Sequence, residues 1–95
     1  MFLTVWKFVV REEHLADFIE HYGPNGTWAE LFRRDPAYIR TELQREGRTF
    51  VTRDYWQSEE AYKAFRAAHA AEYEALDREM EAFTEYESEV MSGEL

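Results

Sequence analysis

The chain has no cysteine, so neither a disulfide nor a thiolate metal site is open to it. Histidine is scarce, and His14, His21 and His69 are too scattered for their spacing to suggest a metal site. No stretch approaches the roughly 20 apolar residues that cross a bilayer. The first residues, Met1-Phe-Leu-Thr-Val-Trp-Lys7, hold no basic leader, apolar run or small-residue cleavage site, which sets the expectation of a cytoplasmic protein without a membrane partner. Positive charge is also short. Eleven Lys and Arg stand against twenty Asp and Glu, a net charge of −9. Phosphate backbones repel such a surface, so nucleic acid is not an expected partner. There is no glycine-rich phosphate loop and no nucleophile elbow.

What is present is one domain's worth of chain, residues 1–95. A chain this short buries only a little over ~60% of its unfolded surface, so its single core is marginal. With disulfides and metals set aside, a second copy of the chain is the expected source of further burial. Aromatics are plentiful: three Trp, six Tyr and seven Phe. A monomer of this size has little interior for so many rings, and some should line an interface or a ligand cavity.

Phe2 to Val10 is rich in β-branched and aromatic residues and reads as a strand. Phe2, Thr4, Trp6, Phe8 and Val10 share one face; Leu3, Val5, Lys7 and Val9 share the other. Both faces are largely apolar, the pattern of a strand covered on two sides. Arg11 to Tyr22 reads as a helix with Leu15, Phe18, Ile19 and Tyr22 in one stripe. Gly23-Pro24-Asn25-Gly26 interrupts it. Thr27-Trp28-Ala29-Glu30 has capping-box spacing and predicts a second short helix starting at Thr27.

Tyr38 to Arg45 and Thr49 to Trp56 read as a hairpin around Glu46-Gly47-Arg48. Ser58 caps one long predicted helix, Glu59 to about Ala82. Its stripe is Tyr62, Phe65, His69, Tyr73, Leu76 and Met80, beside an alanine row (Ala61, Ala64, Ala68, Ala75) that would let it sit close to a sheet. Phe83 to Val90 alternates like a final strand, although Thr84-Glu85-Tyr86-Glu87 also fits a capped helical turn, which would start the strand later.

The order is β-α-β-β-α-β, an α+β ferredoxin-like sandwich with a four-stranded antiparallel sheet. Right-handed crossovers put the helices on one sheet face. The other face, with Leu3, Val5 and Val9, then needs a cover, and a second copy packed sheet against sheet is the simplest one. Lys7 on that face needs a glutamate from either chain.

Several stretches carry a resemblance: Val5-Trp-Lys-Phe-Val-Val10, Tyr22-Gly-Pro-Asn-Gly-Thr-Trp28, Leu31-Phe-Arg-Arg34, Tyr38-Ile-Arg-Thr-Glu-Leu43 and Asp54-Tyr-Trp-Gln-Ser-Glu-Glu-Ala-Tyr62. In these the chain resembles the small dimeric α/β-barrel proteins of the antibiotic biosynthesis monooxygenase type. The resemblance implies a homodimer with a cavity between the helices and the sheet of each subunit. It also implies cofactor-independent oxidation of a phenolic or quinol-like compound, with no cofactor. The haem-degrading branch of that group does not fit. Counted from Trp56, it needs a second Trp nine residues on and an iron-binding His nineteen residues on, where this chain has Phe65 and Ala75. Trp6 stands where that branch has an Asn.

His69 is the candidate catalytic base. It interrupts an apolar and aromatic stripe, and a buried imidazole is the usual agent of proton transfer near neutral pH. The plain alternative is a core histidine with satisfied hydrogen bonds. His69 should lie opposite Phe50 to Thr52, with Thr4 and Trp6 near it if the first strand runs parallel to the third. An Asp54–His69 dyad is rejected on distance. Thr4, Trp6, Tyr22, Trp56, Tyr62, Phe65 and Tyr73 are the candidate ligand-binding residues, with Asn25 at the pocket mouth. All of them also fit plain packing or turn roles. A reading from a different class is a non-catalytic dimer that binds a small apolar molecule or is purely structural. Its sign would be a cavity filled by its own side chains.

Overall fold

The structure, a computed structural model, describes residues 1–95. The elements are β1 (Phe2–Val10), a 3₁₀ turn (Glu12–His14), α1 (Leu15–Tyr22), α2 (Thr27–Phe32), β2 (Tyr38–Glu46), β3 (Thr49–Trp56), α3 (Glu59–Ala68), α4 (Ala70–Met80), a second 3₁₀ turn (Glu81–Phe83) and β4 (Thr84–Glu94). The strands form one antiparallel sheet in the order β2-β3-β1-β4. This is the expected α+β ferredoxin-like sandwich. No helix is long and apolar enough to cross a membrane.

Register explains the core. Phe2 pairs with Trp56, Thr4 with Asp54, Trp6 with Thr52 and Phe8 with Phe50. Directly opposed residues project to the same side of a sheet, so these eight share the helix-facing side. Trp56, Phe18, Phe50, Phe65, Met80 and Val10 are fully enclosed there. Trp56 is the hub: its ring lies 5.0 Å from Phe65, 5.4 Å from Tyr38 and Tyr62, and 5.5 Å from Phe32.

The strand β1 runs antiparallel to β3, not parallel as entertained from sequence. The β2–β3 hairpin reverses the chain, and β2 returns parallel to β1 with β3 between them. The last strand starts at Thr84, so the helical turn considered there precedes it, at Glu81–Phe83.

Gly26 begins α2. A Cβ there would meet the Glu20 carbonyl oxygen at 2.5 Å and the His21 carbonyl oxygen at 2.6 Å, so only glycine lets the two short helices abut. Thr27 is not the cap that the spacing suggested. Gly26 takes that position, and the Thr27 hydroxyl is engaged instead with His21 Nδ1, 2.6 Å away.

The long helix predicted over Glu59 to Ala82 is broken at His69, whose backbone sits at φ −115°, ψ 25°. The His69 Nδ1 lies 3.2 Å from Glu72 Oε1, and Glu72 in turn pairs with Arg34 at the end of α2. An imidazole against the sheet without partners would lose roughly 1–3 kcal/mol, and this surface link supplies one. The alanine row also lies elsewhere: Ala64, Ala68 and Ala75 are exposed, and Tyr62, Phe65 and Tyr73 pack on the core in their place.

Candidate ligand-binding cavity

Between the helices and the sheet lies a cavity of about 170 Å³. Seven aromatic residues line it: Trp6, Phe8, Tyr22, Trp28, Phe32, Tyr62 and Tyr73. The arrangement follows from sequence locally. Alternation along β1 puts Trp6 and Phe8 on the helix side, and helical spacing on α3 and α4 turns Tyr62 and Tyr73 toward them. Trp28 packs edge-on against Tyr73 at 4.9 Å and near Tyr22 at 6.0 Å. The cavity is thus open, against what the purely structural reading requires.

Polar groups enter at two places. On the sheet side, Asp54 lies beside Thr4 in the β1 register and beside Thr41 in the β2 register, with Thr52 two residues along its own strand. All three threonines are buried and line the cavity with it. Thr41 Oγ1 donates to Asp54 Oδ1 at 2.5 Å, and Tyr38 Oη lies 2.6 Å from Thr41 Oγ1. Burial raises the Asp54 carboxyl to a pKa of about 6, and the Thr41 bond only partly offsets this.

On the helix side, Arg66 Nη1 donates to Tyr62 Oη at 2.9 Å, and its guanidinium lies 3.8 Å over the Tyr73 ring. Arg66 is the one cation of the lining. Burial pushes Tyr22 and Tyr73 well above the ordinary phenol range, so both stay neutral near pH 7. Asp77 and Glu87 complete the lining. Glu87 is raised by partial burial and by the neighbouring charges of Asp77 and Glu81.

The cavity gathers Thr4, Trp6, Tyr22, Tyr62 and Tyr73 among the residues singled out from sequence. Trp56 and Phe65 are not among its walls; they are sealed in the core behind it, at 0% and 1% exposure. His69 does not line it either, because its ring is directed to Glu72. Asn25 is exposed, and its side-chain oxygen accepts from Arg33 at 3.1 Å. Asp54, weighed from sequence only as a partner for His69, and Arg66 are lining residues that the sequence does not single out as ligand-binding. The alternation Phe50, Thr52, Asp54, Trp56 placed Asp54 on the core face, and an acidic residue on such a face was the available signal. Arg66 stands four residues after Tyr62, one helical turn on, and was equally visible.

No protein-family model matches the sequence, and no curated protein matches it. Solved structures do. MupZ from Pseudomonas fluorescens matches with a TM-score of 0.71 at 15% identity, over 96% of this chain and 67% of that one. A putative antibiotic biosynthesis monooxygenase from Nitrosomonas europaea matches at 0.65 and 17%, over 100% and 99%. A mutant of SnoaB, a cofactor-independent oxygenase from Streptomyces nogalater, matches at 0.62 and 19%, over 99% and 94%. The strand order, the helices on one face and these superpositions together give the chain the ferredoxin-like fold of antibiotic biosynthesis monooxygenase structures.

Proposed function

We propose that the cavity is the active site of a cofactor-independent oxygenase acting on a small phenolic or quinol-like compound. The observation that carries this is Arg66, fixed by Tyr62 and Tyr73 inside a space otherwise walled by aromatic rings. A phenol oxygen against the guanidinium ionises more readily, because a nearby cation favours the charged form. Asp77, whose charge reaches Arg66, is the acceptor for the phenol's proton and passes it to solvent. The phenolate supplies the electrons to dioxygen. One oxygen atom forms the new carbon–oxygen bond and the other leaves as water, so a phenol with a free ring C–H and one O₂ become a quinone and one water. The rings exclude bulk water from the reacting centre. Arg66 acts as an electrostatic stabiliser of the anion, which is a different task from the proton transfer expected of His69.

The test is oxygen uptake and product mass with a panel of single-ring phenols and quinols. Arg66→Gln should lower kcat/KM by about 10²-fold, the scale of one lost charge-stabilising donor, while the fold survives. Equal rates in wild type and variant would remove Arg66 from the mechanism. Binding without any oxygen uptake would favour the non-catalytic dimer that holds a small apolar molecule.

The protein is proposed to work as a homodimer joined through the sheet face opposite the helices. Leu3, Val5, Val9 and Val51 lie on that face by register, with Tyr86 and Met91 beside them on β4, both exposed. The far side of the face is polar, with Arg40 4.1 Å over the Tyr55 ring and Tyr55 Oη donating to Glu42 at 2.8 Å. Light scattering at micromolar concentration should return twice the 11.4 kDa chain mass. A single-chain mass would count against this assembly.

A further inference from the structure

Asp54 has no task in the reaction proposed for Arg66, yet it is the most enclosed carboxyl facing the cavity. Its only hydrogen bond is the one from Thr41 to Oδ1. Its second oxygen has no partner in the protein and is not sealed off, since it is absent from the buried unpaired atoms, which are the Trp28 and Trp56 indole nitrogens. It takes part in no ion pair. The surroundings are equally one-sided. Asp54 on β3, Asp77 on α4 and Glu87 on β4 face the cavity, against Arg66 on α3, and Arg66 is already engaged with Tyr62 and Tyr73. Tyr22, Tyr62 and Tyr73 are the remaining titratable groups of the lining. The rest is aromatic faces, which attract cations, and threonine hydroxyls, which accept from them. No cluster of ligating side chains here could hold a metal ion.

We propose that Asp54 and its threonines seat the protonated amine of a single-ring aromatic ligand, so that the substrate class of the cavity is an aryl-alkylamine. The proposal rests on the cavity reading above but not on the oxidation. Size supports a single ring: a cavity on the order of 150 Å³ is enough for benzene, and this one is about 170 Å³. Energetics support a cation. Burying an ion pair fails mainly through the cost of desolvating both partners, and folding has already desolvated Asp54. A phenol end at Arg66 and an ammonium end at Asp54 then fix the ligand's direction.

Anaerobic calorimetry separates this from turnover, with tyramine as probe and 4-ethylphenol as its analogue without the amino group. Tyramine should bind about 10- to 100-fold more tightly, the worth of one charged hydrogen bond. The preference should fall as pH drops through about 6, where Asp54 takes up its proton. Asp54→Asn should abolish the preference and leave 4-ethylphenol binding in place. Equal binding of the two probes, no binding of either, or a preference that survives Asp54→Asn would each overturn the proposal. Failure of the oxygen-uptake assay alone would not touch it.

Discussion

Trp56→Ala is expected to remove a large share of the chain's folding stability. The indole is wholly enclosed and touches Phe32, Tyr38, Tyr62 and Phe65 at once, so its removal opens a void between the sheet and two helices. Truncating a buried Trp costs about 3–5 kcal/mol, because the lost transfer energy is joined by a cavity that neighbours refill only in part. A small domain has about 5–15 kcal/mol in total. Trp56→Phe should be far milder. It keeps a ring in place, and it also removes an indole N–H that is buried without a partner. Chemical denaturation of the three proteins decides the matter. If Trp56→Ala melts within about 1 kcal/mol of wild type, Trp56 is not the hub.

Asp54→Asn should move stability the other way. The folded-state pKa of Asp54, about 6, lies above the ordinary carboxyl value of 3.8. The folded chain therefore holds its proton more tightly than the unfolded chain does. Stability falls as pH rises from about 4 to about 6 and stays reduced above that. The shift corresponds to about 3 kcal/mol at pH 7, at 1.36 kcal/mol per unit. Asparagine keeps the oxygen that accepts from Thr41 and cannot ionise, so the variant should gain about 2–3 kcal/mol at neutral pH after its own desolvation. The two proteins should converge near pH 4. Glu42 and Glu72, held low by hydrogen bonds from Tyr55 and His69 respectively, titrate alike in both and cancel from the comparison. A gain that persists undiminished at pH 4 would show that burial of the charge is not the cause. Retaining a carboxylate that costs stability fits a group kept for binding.

The fold was legible because its signals are local. Alternation in Phe2 to Val10, the glycine turn at Gly47, whose φ is 63°, and the Ser58 cap each specify an element from adjacent residues. The cavity was half legible for the same reason. Trp6, Tyr62 and Tyr73 follow from strand and helix periodicity. For Asp54 the local signal is only its place in the alternation of β3; its neighbours Thr4 and Thr41 come from fifty and thirteen positions away. Trp56 and Phe65 have the same chemistry as the ring walls, and only packing depth tells a wall from a core. The misplacement of His69 has a comparable origin. Its stripe has a helix period, but its best hydrogen-bond partner, Glu72, sits three residues on at the surface, itself tied to Arg34 in the turn after α2.

The sheet has two free borders, β2 and β4, and an unpaired border is a template on which foreign strands can grow. Both are studded with charge, but of different kinds. The β2 border mixes signs with Arg40, Glu42, Arg45 and Glu46, whereas β4 carries only acids: Glu85, Glu87, Glu89 and Glu94. Acid therefore strips the guard from one border and spares the other. A foreign strand adding in acid would meet the least charge along β4, where Tyr86, Val90 and Met91 stand exposed.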